Sequence, residues 1–189
     1  MQILNTEIAD VKLIKPVRHG DARGFFSEIY REDAMRKYGI ELHFVQENHS
    51  LSAARGVLRG LHFQTPPAAQ AKLVRVAAGS IFDVAVDIRR GSPTYGKHVA
   101  VVLSAADGFQ LLVPEGFAHG FCTLEPNTEV VYKVSAYYSP ENDKGMLWND
   151  PALGIKWPCS EAEATLSEKD KHHPTLAGLP PYFTYSMPL

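Results

Sequence analysis

The stretch KLVRVAAGSIFDVAVDI, residues 72–88, carries two β-branched runs, Lys72–Ala77 and Ile81–Ile88, on either side of a small-residue turn. Branching at Cβ restricts a side chain in a helix and suits the pleated surface of a strand, so both runs read as strands. The Ala77–Ser80 turn is short enough to pair them as neighbours, which would bring Asp83 beside Lys72 and keep that ammonium charged and aimed. An Asp bonded to turn or strand-end backbone is the alternative. Similar runs lie outward on both sides: Val11–Val17, Phe25–Tyr30, Phe44–Asn48, Gly56–Phe63, His98–Leu103, Gln110–Val113 and Glu129–Tyr137, bounded by Gly, Pro, Asn or Asp. Short strands punctuated in this way argue for an all-β sandwich or barrel. Asp33–Tyr38 reads as the best central helix, and the tail Cys159–Lys171 as short helical turns. Neither creates a repeating βαβ pattern, so the expected architecture is a jelly roll with short peripheral helices and a ligand site at its mouth.

The 189 residues are enough for one domain, 1–189, with a core that needs no disulfide or metal. Nineteen basic and 21 acidic residues are interspersed and leave a formal charge of −2, which offers no field for nucleic acid or an anionic membrane. No basic segment precedes an apolar one at the start, and no run approaches the ~20 apolar residues of a membrane span. A cytoplasmic protein is expected. Cys122 and Cys159 lack CxxC spacing and read as buried free thiols rather than a disulfide or thiolate metal site. Leu179–Leu189 reads as an irregular tail packed on the surface.

Residues 108–119, GFQLLVPEGFAH, reproduce the second cupin signature: a glycine, five residues, Pro-x-Gly, two residues, then His119. The first signature is half present. Gly56 stands at the expected distance before His62, but Gln64 replaces the second histidine and no glutamate occupies the ligand position. A mononuclear site normally takes three or four protein ligands, and these motifs supply two, so no metal is expected. Lys72 lies in the same part of the chain, and an ammonium beside a developing oxyanion can do a metal's electrostatic task. The pattern resembles a cupin rebuilt for acid–base chemistry.

GDARGFFSE, FVQENHS, VLRGLHFQ, AQAKLVRV, DVAVDIRRGSPT, VPEGFAHGF, YKVSAYYSPE, GMLWNDPALGIKWP and LSEKD together resemble the dTDP-4-dehydrorhamnose 3,5-epimerase family over nearly the whole chain. The resemblance implies a homodimeric isomerase that converts dTDP-4-dehydro-6-deoxy-D-glucose to dTDP-4-dehydro-L-rhamnose without a cofactor, in dTDP-rhamnose supply for cell-surface polysaccharide. It also implies the roles: His62 as base, Asp170 supporting its imidazolium, Lys72 stabilising the enolate, and Tyr132 as the acid on the opposite face. Substrate contacts carry over onto Arg23, Phe26, Glu28, Gln46, Asn48, Arg59, Lys72, His119, Tyr138, Asp143 and Lys169, with the Phe25–Phe26 segment closing a partner subunit's site over thymine. Rival readings are a 3- or 5-monoepimerase, a non-catalytic sugar-nucleotide-binding cupin, and a metal-dependent cupin enzyme.

The residue chemistry is consistent with those roles. A proton alpha to a ketone needs a base and a place to store the enolate charge, and histidine, with a reference pKa of about 6.5, suits the first task. Alternation places Val130, Tyr132 and Val134 on one strand face, so the tyrosine points inward and needs a polar partner. Gln46 and Asn48 likewise share a face. Arg59 and His62, three apart, would point to opposite faces of a regular strand, and Gly60 is the place for a bulge that reconciles them. The remaining histidines, His19, His43, His49, His98, His172 and His173, read as surface, turn or structural residues. Trp148 and Trp157 read as core, and Arg89 and Arg90 as a solvated turn.

Overall fold

The computed structural model describes residues 1–186. Thirteen strands are defined among them: β1 (Gln2–Asn5), β2 (Lys12–Lys15), β3 (His19–Asp21), β4 (Gly24–Phe26), β5 (Gln46–Ser52), β6 (Leu58–Gln64), β7 (Lys72–Ala78), β8 (Ser80–Asp87), β9 (His98–Ser104), β10 (Gln110–Val113), β11 (Phe117–Thr123), β12 (Thr128–Val134) and β13 (Asp143–Gly145). A six-stranded sheet, β1-β2-β10-β7-β12-β5, faces a five-stranded sheet, β13-β6-β11-β8-β9, and β3 and β4 form a separate hairpin. Val74, Val76, Leu111 and Val130 from the first sheet pack against Ile81, Ala85, Leu103 and Phe121 from the second, all buried. The architecture is the all-β, cupin-like jelly roll expected.

The runs Lys72–Ala77 and Ile81–Ile88 do not pair with each other as expected. β7 pairs with β10 and β12, whereas β8 pairs with β9 and β11, so the two runs lie in different sheets. Gly79 makes the corner at φ +76, and a Cβ there would lie 2.4 Å from Thr128 Oγ1. A turn that short can close a hairpin, but it also lets a chain switch layers when both runs have an apolar face to bury.

Strand β11 was not among the expected runs. All seven of its residues are buried, so both faces are covered and the period-2 signal is lost. The expected helix appears as α1 (Glu32–Arg36), beginning and ending earlier than Asp33–Tyr38, with Gly39 left-handed just beyond it. In the run Phe25–Tyr30 only the first two residues are strand. The C-terminal region is mostly irregular, with a 3-10 turn at Lys169–Lys171.

Trp148 and Trp157 pack edge to face in an apolar cluster, as expected of core indoles. Cys122 is a buried free thiol, but Cys159 is only half-buried and its Sγ lies 3.5 Å from that of Cys122. Arg89 is no solvated turn residue: it donates to Asp87 and Asp10 and stacks over Phe117 and Tyr185. Arg90 stacks over Tyr95 and donates to Leu179 O. Of the expected tail, Leu179 is buried and Tyr185 N–H bonds Arg90 O, while 187–189 lie outside the described residues.

Candidate active site

His62 on β6 and His119 on β11 are direct register partners, which places both rings at one end of the sandwich. Next to them the ladder is irregular: His119 opposes His62, but Phe121, two residues on, opposes Arg59, three residues back. One extra residue in β6 is a β-bulge, and it re-aims Arg59 so that both Arg59 and His62 line the same cavity. Gly60 sits inside it at φ +135, where a Cβ would come within 2.5 Å of Gly120 Cα. Only glycine fits that approach.

Each histidine has a carboxylate. His62 Nε2–H donates to Asp170 Oδ1 at 2.5 Å, leaving Nδ1 as the nitrogen with the free lone pair. Asp170 comes from the C-terminal region, which docks through the Leu58 N–H to Thr165 O and Thr165 N–H to Gly56 O bonds. Burial alone would raise the Asp170 pKa, but the His62 hydrogen bond and charge, with help from Ser167, hold it below the ordinary carboxylate value. It is therefore an anion at neutral pH. His119 Nε2 lies 2.6 Å from Asp83 Oδ1, and both side chains are buried. Asp83 supports the Lys72 charge as expected, but not through a β7–β8 hairpin: the two strands are not neighbours, the hydrogen bond of Asp83 goes to His119, and its charge acts on Lys72 from the facing sheet.

Lys72 extends the inward row Val74–Val76 on β7 and is almost fully buried, with Nζ donating to His62 O at 3.2 Å. Burial lowers its pKa to about 8, against the opposing attraction of Asp143 and Asp83. Tyr132 on β12 lies opposite Asn48 of β5. Burial raises its phenol above the usual value, against the nearby Arg59 charge and the Asn48 hydrogen bond, so it keeps its proton at neutral pH.

These groups surround a cavity of about 450 Å³. His62 and His119 belong to one sheet, and Lys72 and Tyr132 to the other, so a ligand between the sheets has imidazoles on one side and a phenol on the opposite side. Arg59 donates to Ser52 Oγ and Leu51 O at the rim. Gln46 and Asn48 do share a face and bond each other, Gln46 also accepting from Tyr138 N–H. Asp143 on β13 receives Lys169 and the Tyr138 hydroxyl, forming a polar edge close enough to act on Lys72.

The structure does not bring Arg23, Phe26 and Glu28 to this cavity. Arg23 pairs with Asp21, Glu28 with Arg31, and Phe26 is 68% exposed on the β3–β4 hairpin. Sequence reasoning also missed some residues. Ser50, two positions beyond Asn48 on the same strand face, lines the cavity with a buried hydroxyl that has no partner among the described residues. Its parity with Gln46 and Asn48 was the available signal. His173 reads from sequence as a surface, turn or structural residue with no part in the site, yet its ring packs edge to face on His62 at 5.7 Å, and burial and the His62 charge lower its pKa. Its position three residues after Asp170 was a signal too weak to separate it from His172. His62, Asp170 and His173 form the metal-ligand-like group found among the described residues.

The model of the family described as dTDP-4-dehydrorhamnose 3,5-epimerase matches residues 5–178. The chain is 54% identical over 185 residues to a dTDP-4-dehydrorhamnose 3,5-epimerase of Sinorhizobium fredii, covering 98% of this chain and 94% of that one. Among solved structures, the epimerase of Bacillus anthracis with TDP and pyrophosphate bound is 49% identical at a TM-score of 0.89, over 92% of this chain and 98% of that one. A dTDP-6-deoxy-D-glucose-3,5-epimerase of Legionella pneumophila in complex with dTDP-4-keto-L-rhamnose is 43% identical at a TM-score of 0.94, over 98% and 99% of the two chains.

Proposed function

The chain belongs to the dTDP-4-dehydrorhamnose 3,5-epimerase family, and on that premise we propose how the residues of its cavity divide the work of the reaction. The enzyme is an isomerase that inverts C3 and C5 of dTDP-4-dehydro-6-deoxy-D-glucose to give dTDP-4-dehydro-L-rhamnose. The observation that carries our assignment is the placement of His62 and Tyr132 on opposite sheets across one cavity.

In this reading the His62 Nδ1 lone pair removes the proton alpha to the 4-keto group, and the imidazolium is stabilised by Asp170 through Nε2–H. The electron pair left at carbon moves into the carbonyl, and the enolate oxygen is held by the Lys72 ammonium, whose burial strengthens that attraction. Tyr132 then returns a proton from the other face, and the stereocentre inverts. The ammonium supplies the positive charge the enolate needs, so the scheme calls for no cofactor or metal. His119, held by Asp83, and Arg59 contact the sugar and phosphate side of the substrate, with Gln46, Asn48, Tyr138, Asp143 and Lys169 at the rim.

Arg23, Phe26 and Glu28 enter the same reading through a homodimer. Phe25 and Phe26 are 61% and 68% exposed on a hairpin that pairs with neither sheet, an arrangement suited to lying over the cavity of a second copy against the thymine. No helix among the described residues is long and apolar enough to cross a membrane, and we assign the enzyme to the cytoplasm as a single domain.

Proton NMR of the 4-keto substrate with enzyme in deuterium oxide, with the product trapped by a reductase, tests the reading. Deuterium at both C3 and C5 with an L-rhamno product is the expected result. Exchange at one centre alone would make this chain a monoepimerase, and exchange at neither would remove the catalytic assignment.

A further inference from the structure

We propose that His62, Asp170 and His173 form a binding site for a zinc-type divalent transition-metal ion, and that an ion bound there switches the base off. The second half rests on the reading of His62 as base; the first does not.

The three side chains each offer one ligand atom, and these atoms lie within 4.8 Å of one another. Two imidazoles and one carboxylate are a donor set that suits zinc and its neighbours. Beyond packing on His62, His173 has no other task shown by its contacts. Its Nε2 is buried, has no hydrogen-bond partner among the described residues and lies 3.6 Å from Asp170 Oδ1, beyond hydrogen-bond range. A buried ring nitrogen without a partner is uncommon and calls for an explanation.

The ring is also held in place. A Cβ at Gly145 would lie 2.3 Å from His173 Nε2, so the glycine of β13 makes the slot that the imidazole fills. Pro174, the next residue, is pinned by the Leu147 N–H to Pro174 O bond of 2.8 Å. A preformed position lowers the ordering cost of binding.

Tetrahedral zinc with arms of about 2.0–2.1 Å sets its ligand atoms about 3.3 Å apart. The Asp170–His173 separation of 3.6 Å is already close to that value, whereas the His62–Asp170 bond of 2.5 Å must open. The ion therefore replaces the proton shared by His62 and Asp170 and cannot coexist with it. A neutral imidazole ligated through Nε2 carries its proton on Nδ1. Binding thus moves the His62 proton from Nε2 to Nδ1, with no net release, and covers the lone pair that the reaction needs. The metal contacts bypass Gln64, where the cupin pattern would have placed a ligand, and draw instead on the C-terminal region.

The test uses zinc chloride and the intact enzyme. Equilibrium dialysis without substrate should give one zinc per chain, removable by EDTA. Losing even an outer-sphere partner costs a metal site about 10–100-fold in affinity, so His173→Asn should weaken binding by at least about tenfold. His172→Ala, at an exposed neighbour, should leave it unchanged. Zinc should abolish C–H exchange in proportion to occupancy, and His173→Asn should need at least about tenfold more zinc for the same inhibition. If His173→Asn misfolds by circular dichroism, His173→Gln replaces it. Absence of stoichiometric binding, or equal affinity in the His173 variant, overturns the site. Zinc bound at that site with exchange undiminished overturns the switch, and with it the assignment of His62 as base.

Discussion

The cavity contains two histidine–aspartate pairs of the same chemistry mounted in different ways. His119 and Asp83 both sit on strands of one sheet and are closed off from solvent. His62 sits on a strand but takes its carboxylate from the C-terminal region, 108 residues away, and its side chain keeps 31% of its surface exposed. A pair locked between strands can orient a ring and hold charge. A pair partly open to solvent leaves one ring nitrogen free to exchange a proton with a ligand, and that is the property a base requires.

The largest effect that would break this contrast is on His62, the proposed base. His62→Ala should remove deuterium exchange at both C3 and C5, a loss of about 10²–10⁴-fold for a general base. His119→Ala should act differently. It leaves the buried Asp83 carboxylate without its histidine donor, which costs about 1–3 kcal/mol or more for a buried acceptor left unsatisfied, so the deficit should appear in thermal unfolding and in KM. If folded His119→Ala also lost exchange with KM unchanged, the two pairs would share the proton transfer and the contrast would fall.

A smaller effect sharpens it. Tyr132 touches neither pair through a carboxylate and lies on the other sheet, so Tyr132→Phe should leave proton removal by His62 largely intact while product inversion falls. The measurement is the ratio of deuterium wash-in to trapped L-rhamno product. A variant that lost both in step would place Tyr132 in proton removal rather than return.

Much of this was legible in the sequence, and the failures have physical causes. Amphipathic strands such as β12 declare themselves by alternation, and Tyr132 was placed from Val130 and Val134 alone. The strain between Arg59 and His62 predicted the bulge at Gly60, and the register shift is there. By contrast β11, covered on both faces and interrupted by Gly120, has no period to read, although it carries His119. The layer switch at Gly79 was invisible because a tight turn looks the same whether its strands pair or part. The His119 partner of Asp83 stayed hidden for the same reason. Roles for Arg23, Phe26 and Glu28 came from family resemblance, and within one chain these residues lie away from the cavity. His173 was passed over since a histidine after a turn has no signature, and its slot depends on Gly145, 28 residues earlier, only in three dimensions.

The smallest effect separates the two aspartates by what each one charges. Burial brings Lys72 to about 8, with Asp143 and Asp83 both holding it up. With the ammonium holding the enolate as proposed, kcat should fall as pH rises through about 8, and Lys72→Arg, if active, should lose that limb because guanidinium stays charged. Stability runs the other way. An unfolded lysine keeps its proton to about 10.4, so the unfolded state binds more protons between about 8 and 10.4 and the folded state gains stability as pH rises through that window. Asp83→Asn removes one of the charges supporting Lys72 and should move the alkaline limb of kcat below about 8. Asp170, whose partners are His62, Ser167 and His173, is not among the groups that act on Lys72, so Asp170→Asn should depress the rate with that limb in place. Equal displacement of the limb by both substitutions would mean that the cavity responds to its total charge, and the division between a structural pair and a working pair would not hold.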